Sequence, residues 1–257
     1  MPGNMYRTRF REQIVAEFLP PSRPRKSQKL ILLCDGMPSI PRKQSLSEFL
    51  AAKGFWVIYP RYRGAWESGG QFLEKSPHED ILDIIDDLPN EIEEIAFGQR
   101  FRLSPDEIFV IGGSFGGAAA ILASVHPRVK RLIANCPVVD WKILDRCEKV
   151  ESCKENYAEY IREAFGNGYR LSDANWEKLR SGTFYNPWHH RREITASKVM
   201  VFHAKDDPHV PYEGSRQFAE LCGVSFKSLP RGGHVSTEYI VRKYWPQIKR
   251  FFDSSRG

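Results

Sequence analysis

Runs of strand length alternate along the chain with segments of helical periodicity. The strand-like runs lie at residues 29–34, 55–59, 108–111, 132–135, 198–203 and 225–229. The helical segments lie at residues 46–53, 78–97, 115–125, 214–222 and 236–252, and Pro89 should bend or interrupt the second of them. This alternation predicts an α/β fold with a mostly parallel sheet and helices on both faces.

Two regions depart from this alternation. Residues 6–18 alternate between apolar and polar side chains, which predicts one or two antiparallel strands at an edge of the sheet. About sixty residues separate the runs at 132–135 and 198–203, which is too long for an ordinary connection. This segment contains helical stretches at 156–165 and 174–179, and we expect a small helical lid at residues 140–192. Its aromatic run at 183–190 either packs into the core or forms a pocket wall.

Length and composition are typical of one globular domain. A chain of 257 residues can enclose a single core, so one domain spanning residues 1–257 is expected. Its apolar content of 41% and charged content of 27% are ordinary. No apolar run approaches the ~18 residues that a membrane crossing needs, so we expect no membrane association.

Cysteines and charge narrow the expected environment and partners. The five cysteines form no Cys-x-x-Cys pair, and their odd number favours free thiols over disulfides or a zinc site. Residues 1–10 lack the layout of a secretory signal, so a cytoplasmic protein is expected. The net charge of +6 includes a basic cluster at residues 23–29, but no nucleic-acid motif accompanies it. We therefore expect no nucleic-acid partner.

The segment Gly112-Gly-Ser-Phe-Gly-Gly117 joins a predicted buried strand to an alanine-rich helix. Such a turn exposes a serine at the end of a strand, and the helix that follows places its positive end near the hydroxyl. Ser114 is therefore the candidate nucleophile. The backbone N–H of Phe115 is a candidate donor to the oxyanion that forms after attack. The alternative is a glycine-rich turn that binds phosphate or nothing.

A serine nucleophile needs a base and an acid that orients the base. Two later loops supply both in the expected order: Asp206-Asp-Pro-His-Val-Pro211 and Arg231-Gly-Gly-His234 each follow a predicted strand. His234 is the candidate base because two glycines precede it, although a structural histidine is the alternative. Asp207 is preferred to Asp206 as the orienting acid, since Asp206 is better placed to cap the turn. His203, at the end of its strand, is expected to pack there.

Further residues complete the candidate site. The loop after the strand at 29–34 should supply a second oxyanion donor, and the N–H of Met37 is the candidate. The Met37 side chain could equally pack in the wall at the pocket mouth, and both roles can hold at once. Four side chains are expected to contact the substrate: Asp35, Trp66, Glu67 and Trp188. Glu67 would recognise a free amino terminus if the substrate were a peptide, and the alternative is a solvated loop residue. No metal ion or organic cofactor is expected.

Together these motifs resemble those of the α/β-hydrolase superfamily, and within it the catalytic domain of the prolyl oligopeptidase (dipeptidyl-peptidase) group. The resemblance is carried by Arg61-Tyr-Arg-Gly64 with Gly69-Gly70, the turn around Ser114, Asp207-Pro-His-Val-Pro211 and Gly232-Gly-His234. It implies an eight-stranded hydrolase fold, an acyl-enzyme mechanism and no cofactor. Peptidases of this group usually carry an N-terminal propeller. Fewer than thirty residues precede the first predicted core strand, so no propeller is expected in this chain.

Three functions are open at this point. The favoured one is hydrolysis of a small carboxylic ester by a serine esterase. The resemblance implies a tyrosine hydroxyl in the oxyanion hole where this chain has Asp35, and a carboxylate opposes a developing negative charge unless it points away or is neutral. Esters have the better leaving group and tolerate a weaker oxyanion hole. The second function is a serine peptidase or amidase of prolyl oligopeptidase type, and the third is a ligand-binding protein without activity. The expected partner is a small ester or a short peptide, and the oligomeric state is open.

Overall fold

Eight strands form one sheet in the computed structural model of the protein, which describes residues 5–23, 27–88, 91–142 and 157–254. The strands of the described residues are β1 (Tyr6–Phe10), β2 (Ile14–Leu19), β3 (Lys29–Cys34), β4 (Trp56–Pro60), β5 (Glu91–Glu93), β6 (Arg100–Arg102), β7 (Glu107–Gly113), β8 (Val129–Asn135), β9 (Val199–Ala204) and β10 (Ser225–Leu229). The α-helices are α1 (Gln44–Ala52), α2 (Pro77–Asp86), α3 (Phe115–Leu122), α4 (Tyr157–Phe165), α5 (Asp173–Arg180), α6 (Tyr212–Cys222), α7 (Thr237–Lys243) and α8 (Trp245–Asp253).

The sheet is mostly parallel, as the alternation of strands and helices predicts. Its strand order is β1-β2-β4-β3-β7-β8-β9-β10. The pairs β1–β2 and β2–β4 are antiparallel, and all other neighbours are parallel. The prediction of antiparallel strands near the start of the chain is therefore confirmed, with β1 at the edge. In such a sheet ligands bind where the carboxyl ends of the parallel strands meet, and β3, β7, β8 and β9 end together there.

The central parallel strands β3, β7 and β9 are buried on both faces, which explains why their sequences are nearly continuous apolar runs. In β7, Ile108 and Val110 belong to one hydrophobic cluster, and Phe109 and Ile111 to the other. Helices α2, α3 and α6 contribute to the first cluster, and α1, α7 and α8 to the second. The cores on the two faces hold the sheet rigid, so its carboxyl edge is a fixed platform for a site.

Two of the predicted helices differ from the structure. The helix expected at 78–97 ends at Asp86, and β5 pairs with β6 in an antiparallel hairpin beyond it. Pro89, which was expected to bend or interrupt this helix because proline removes a backbone donor, lies outside the described residues. The helix expected at 236–252 is two helices that meet at Tyr244, with Pro246 in the first turn of α8.

The segment predicted to form a lid is described only over residues 140–142 and 157–192. It contains α4 and α5 and is tied to the loop after β4 by backbone hydrogen bonds, with Trp66 N–H donating to Gly168 O at 2.9 Å. Tyr185, in the aromatic run, is buried and donates to the carbonyl of Phe115 at 2.6 Å, so this ring packs into the core. Whether the segment acts as a lid stays a prediction. No helix in the described ranges is long and apolar enough to cross a membrane.

Candidate active site

Ser114 occupies a strained turn between β7 and α3. Its φ of 54° lies in the left-handed region that L-residues rarely adopt. Backbone hydrogen bonds hold this conformation: Ser114 N–H donates to Asn135 O at 2.8 Å, and Ser114 O accepts from Gly117 N–H at 3.0 Å. Strain of this kind persists only where the surroundings enforce it, and it is common at functional sites. The turn places the side chain at the carboxyl edge of the sheet, at the start of α3.

Glycines at positions 112 and 116 allow the strand and the helix to approach each other closely. A Cβ on Gly112 would lie 2.0 Å from the carbonyl oxygen of Gly116. A Cβ on Gly116 would lie 2.4 Å from the carbonyl oxygens of Cys34 and Asp35. Both distances are far below van der Waals contact, so no larger residue fits at either place. The Gly-x-Ser-x-Gly spacing therefore has a steric cause in this fold.

His234 lies on the loop after β10, with its imidazole against a buried carboxylate. Its Nδ1 is 2.8 Å from Asp207 Oδ2. Because a carboxylate only accepts, Nδ1 carries the proton and Nε2 is left to accept one. The His234 side chain is 25% exposed whereas that of Asp207 is fully buried. The pair has the geometry expected of a base and the acid that orients it, and of the two neighbouring aspartates it is Asp207 whose carboxylate contacts the ring.

Two further contacts fasten the loop that carries His234. The Asp206 carboxylate accepts from Gly233 N–H at 2.9 Å, which is the capping role expected for this residue. The Asn135 side chain, at the end of β8, donates to Val235 O at 2.7 Å. The residues on either side of His234 are thus each bonded to a neighbouring strand end, which limits the positions that the imidazole can reach.

The Asp207 carboxylate is saturated with donors. Oδ1 accepts from the backbone N–H groups of His209 at 2.8 Å and Val210 at 3.0 Å. Burial by itself raises the pKa of Asp207, but hydrogen bonds from His203 and His234 outweigh it and hold the pKa well below its usual range. Asp207 is therefore ionised at neutral pH and opposes loss of the proton on Nδ1 of His234.

A cavity of about 730 Å³ opens at this edge of the sheet. Its lining includes Gly36, Met37, Ser114, Phe115, His209 and His234. The predicted nucleophile, the predicted base and both predicted oxyanion donors thus face one space, and a cavity of this size can hold a small organic substrate. Trp141, Tyr157 and Tyr160 also line it.

Asp35 lies in this cavity but its carboxylate is heavily engaged. Oδ1 accepts from Gly36 N–H at 2.9 Å and pairs with Lys43 Nζ at 2.9 Å. Oδ2 accepts from Ser39 Oγ at 2.7 Å and from the hydroxyl of Tyr59. Burial, together with the Asp35 charge, raises the pKa of Tyr59 far above its usual range, so the phenol keeps its proton and donates. We call this set of contacts the Asp35 clamp. The Lys43 ammonium offsets the charge that would otherwise oppose an oxyanion nearby.

The other three residues expected to contact substrate do not line this cavity. The Glu67 carboxylate lies 3.3 Å from Arg7 Nη1 and 3.4 Å from Arg61 Nε. The indole of Trp66 donates to Ser39 O at 3.2 Å, behind the 35–39 loop. The Trp188 ring packs 6.4 Å from that of Phe218. Their predicted role in substrate binding has no support from these contacts.

Candidate metal ligands in the described residues come together only next to the acid. Cys136, His203 and Asp207 bring ligand atoms within 4.8 Å of one another. The Asp207 oxygens already accept hydrogen bonds from two backbone groups and from His234, and Cys136 Sγ lies 3.7 Å from Asn135 Oδ1. Hydrogen bonding thus accounts for much of this cluster without an ion.

Sequence reasoning did not find several side chains that shape the site. Lys43 and Tyr59 hold Asp35, and Asn135 holds the loop of His234. None of them stands in a recognisable motif. Tyr59 and Asn135 share one signal, which is their position near the carboxyl ends of parallel strands, where polar residues interrupt an otherwise apolar run. Lys43 has no such signal.

Comparison with known proteins agrees with this geometry. The model of the prolyl oligopeptidase family matches residues 42–237. The fold is similar to that of the Pyrococcus horikoshii acylaminoacyl peptidase, with a TM-score of 0.68 and 15% identity over 99% of this chain and 42% of that one. It is equally similar to Est1E of Butyrivibrio proteoclasticus bound to ferulic acid, with a TM-score of 0.68 and 18% identity over 96% of this chain and 99% of Est1E.

A third similar structure is an esterase of Pyrococcus furiosus, with a TM-score of 0.64 and 16% identity over 96% of this chain and 89% of that one. The chain thus spans less than half the length of the acylaminoacyl peptidase but nearly all of Est1E. At these identities the structures establish a shared fold, and the family match covers most of the chain. The protein has the α/β-hydrolase fold and belongs to the prolyl oligopeptidase family of serine hydrolases.

Proposed function

We propose that the protein hydrolyses carboxylic esters of small substrates through an acyl-enzyme formed on Ser114. The observation that carries this proposal is the shared cavity, in which Ser114, His234, Met37 and Phe115 face the same space at the sheet edge. A nucleophile, a base held by a buried acid and two backbone donors are the groups that acyl transfer requires.

In this mechanism the Ser114 hydroxyl attacks the ester carbonyl and His234 Nε2 takes its proton. Asp207 keeps Nδ1 protonated and stabilises the positive imidazolium that results. The N–H groups of Phe115 and Met37 donate to the oxyanion, and the positive end of α3 favours the same charge. His234 then gives its proton to the leaving alcohol. In the second half of the reaction His234 takes a proton from the water that attacks the acyl-enzyme, and it returns this proton to the Ser114 oxygen as the carboxylic acid leaves.

Two observations favour esters over amides. The esterase of Pyrococcus furiosus matches this chain over 89% of its own length, whereas the acylaminoacyl peptidase is more than twice as long as this chain. Position 35 also carries an aspartate where the family resemblance implies a tyrosine hydroxyl donor, and esters, with their better leaving groups, need less stabilisation of the oxyanion. The aromatic rings of Trp141, Tyr157 and Tyr160 provide an apolar wall for the acyl or alcohol group.

The test is turnover of short p-nitrophenyl esters by the wild type and by Ser114→Ala, together with labelling by a fluorophosphonate. We expect hydrolysis and labelling in the wild type and neither in the variant. A wild-type protein that neither labels nor turns over any ester or amide would exclude the serine hydrolase proposal. Thr8→Ala, far from the cavity, is the matched control for handling and folding.

A second candidate is cleavage of short peptides or aminoacyl amides, which the family match favours. A panel of aminoacyl and dipeptidyl amides separates it from the first. A kcat/KM for amides equal to that for matched esters would favour the peptidase. Binding of ligands without labelling or turnover would favour a non-catalytic ligand-binding protein.

We propose that residues 1–257 form one domain and that its segment at residues 140–192 is a lid that selects substrates. It contributes Trp141, Tyr157 and Tyr160 to the cavity wall. Tyr160→Ala should change the preference between short and long acyl groups while leaving activity on acetate esters unchanged. An unchanged preference would contradict the lid.

We also propose a cytoplasmic location. The described cysteines Cys34, Cys136 and Cys222 are free thiols, which suits a reducing compartment. Protein isolated without reductant should titrate five thiols per chain, and a lower number would count against this location.

A further inference from the structure

A second histidine lies against the acid of the site. His203 is the penultimate residue of β9, four positions before Asp207, and its side chain is fully buried. Its Nε2 is 3.1 Å from Val210 O and 3.2 Å from Asp207 Oδ2. The proposed mechanism does not use this ring, and packing alone does not explain a polar ring aimed at the acid.

The partners of His203 determine where its proton lies. A backbone carbonyl and an ionised carboxylate can only accept, so Nε2 carries a hydrogen. Nδ1 is buried and makes no hydrogen bond to any described residue. A second proton there would have no acceptor, which favours the tautomer with its only proton on Nε2. The ring therefore presents one N–H, directed at Val210 O and adjacent to Asp207.

Two hydrogen bonds and one short contact link His203, Val210 and Asp207 in a ring around the acid. Val210 N–H donates to Asp207 Oδ1 at 3.0 Å, and Val210 O accepts from His203. Asp207 Oδ2 then lies between His203 Nε2 at 3.2 Å and His234 Nδ1 at 2.8 Å. Rotation of the 207–210 turn would therefore break the hydrogen bond from His203 to Val210 O and move the Asp207 carboxylate away from His203 Nε2.

We infer that His203 is a positioning residue for the proposed hydrolase: its Nε2–H fixes the Asp207 carboxylate and the 207–210 turn, so that Oδ2 stays aimed at His234 while that imidazole gains and loses a proton. The inference deepens the proposed function and rests on it.

The role has an electrostatic consequence. A donor at Oδ2 draws off part of the carboxylate charge, so its removal leaves Asp207 a stronger partner for the protonated His234. The imidazolium then releases its proton less readily. Four other titratable groups surround Asp207 and His234. They are Asp206 and His209 on the loop after β9, Cys136 just after β8, and Tyr212, which packs against His203. Among the described residues in these contacts, only Asp207 places a carboxylate on the His234 ring.

The test compares His203→Phe, which keeps an aromatic ring without a donor, with His203→Gln, which can place an N–H near the same point. For His203→Phe we expect kcat on a p-nitrophenyl ester to fall about 10- to 100-fold, with KM within about twofold. The acidic limb of the profile of kcat/KM against pH should move up by about half a unit. His203→Gln should recover most of kcat, and its acidic limb should return to the position of the wild type. His126→Phe, a histidine substitution far from the cavity, is the matched control.

Equal losses in both variants without movement of the acidic limb would assign His203 a structural role only, and unchanged kinetics in His203→Phe would assign it none. If His203→Phe does not fold, ¹⁵N NMR of the wild type decides, because a proton on Nδ1 near neutral pH would overturn the inference. The fluorophosphonate labelling rate of Ser114 is a readout that needs no known substrate. Failure of the wild type to label would count against the proposed function instead.

Discussion

The loops that follow β3 and β9 each carry a buried carboxylate at the same edge of the sheet, Asp35 and Asp207, yet the two carboxylates have different surroundings. Asp207 is held by backbone N–H groups and two imidazoles. Asp35 is held by an ammonium, two hydroxyls and one backbone N–H. The partners of Asp207 leave its charge directed at a group that must become positive. Those of Asp35 include a full positive charge, so its own charge is offset within the loop.

The comparison teaches that the carboxylate itself does not define the role. A buried carboxylate facing neutral donors can stabilise a cation that forms later, whereas one already paired with lysine serves mainly to hold its loop. The loop that Asp35 holds carries Met37, the proposed oxyanion donor. One region therefore holds the proposed base, and the other holds a proposed oxyanion donor on the opposite side of Ser114.

The largest effect is expected at Asp207. In Asp207→Asn the amide can present N–H to Nδ1 and favour the wrong tautomer of His234, so kcat should fall about 10³- to 10⁴-fold with KM little changed. Steady-state kinetics on a p-nitrophenyl ester measure this. Asp206→Asn is the matched control, since its amide oxygen can still accept from Gly233 N–H, and it should stay within about threefold of the wild type. Similar losses in the two variants would erase the distinction between the neighbouring aspartates.

Acid unfolding tests the same carboxylate by stability. The folded pKa of Asp207 lies below its ordinary value of 3.8, so its contribution to stability is present above about pH 4 and is lost as pH falls toward the folded pKa. Below pH 4 this one group should remove about 1.4 kcal/mol of unfolding free energy per pH unit. Urea unfolding at several acidic pH values should therefore show a shallower decline for Asp207→Asn than for the wild type. Parallel curves would contradict the low pKa.

At Asp35 a smaller and more informative effect is expected. Asp35→Asn removes the charge that pairs with Lys43 and mismatches the hydroxyl donors, so the loop should loosen and kcat should fall about tenfold, equivalent to about 1.4 kcal/mol. Kinetics with a matched ester and amide measure the change for both substrates. An increase in kcat would show instead that the carboxylate opposes the oxyanion, and the comparison with Asp207 would need to be reversed.

The smallest effect is expected at Glu67, outside both loops. Its carboxylate pairs with Arg7 and Arg61 and is absent from the cavity lining, so Glu67→Gln should leave kcat/KM within about twofold for every substrate. The measurement compares aminoacyl amides with and without a free amino group. A selective rise in KM for the free amines would restore Glu67 as a substrate-binding residue.

Much of the fold could be predicted from local patterns. Strands β3, β7 and β9 are nearly continuous apolar runs because helices cover both faces of the sheet. Such runs can be recognised from the sequence without knowledge of the fold. The helix predicted at residues 78–97 ends at Asp86 in the structure. The prediction extended it too far because the alternation in Glu91-Ile92-Glu93 is too short to be recognised as a strand after a long stretch of helical periodicity. The pairing of β5 with β6 depends on residues several positions apart, which periodicity does not register.

The sequence by itself determined the candidate nucleophile, base and acid, because Gly112 and Gly116 meet a steric demand and each functional residue follows a strand at a short fixed distance. Only the tertiary structure decided what surrounds the carboxylates. Tyr59 and Lys43 reach Asp35, and Asn135 reaches the loop of His234, from separate elements. Parallel strands bring their carboxyl ends together whatever their separation along the chain, so contacts at that edge follow from strand order and are invisible to any local pattern.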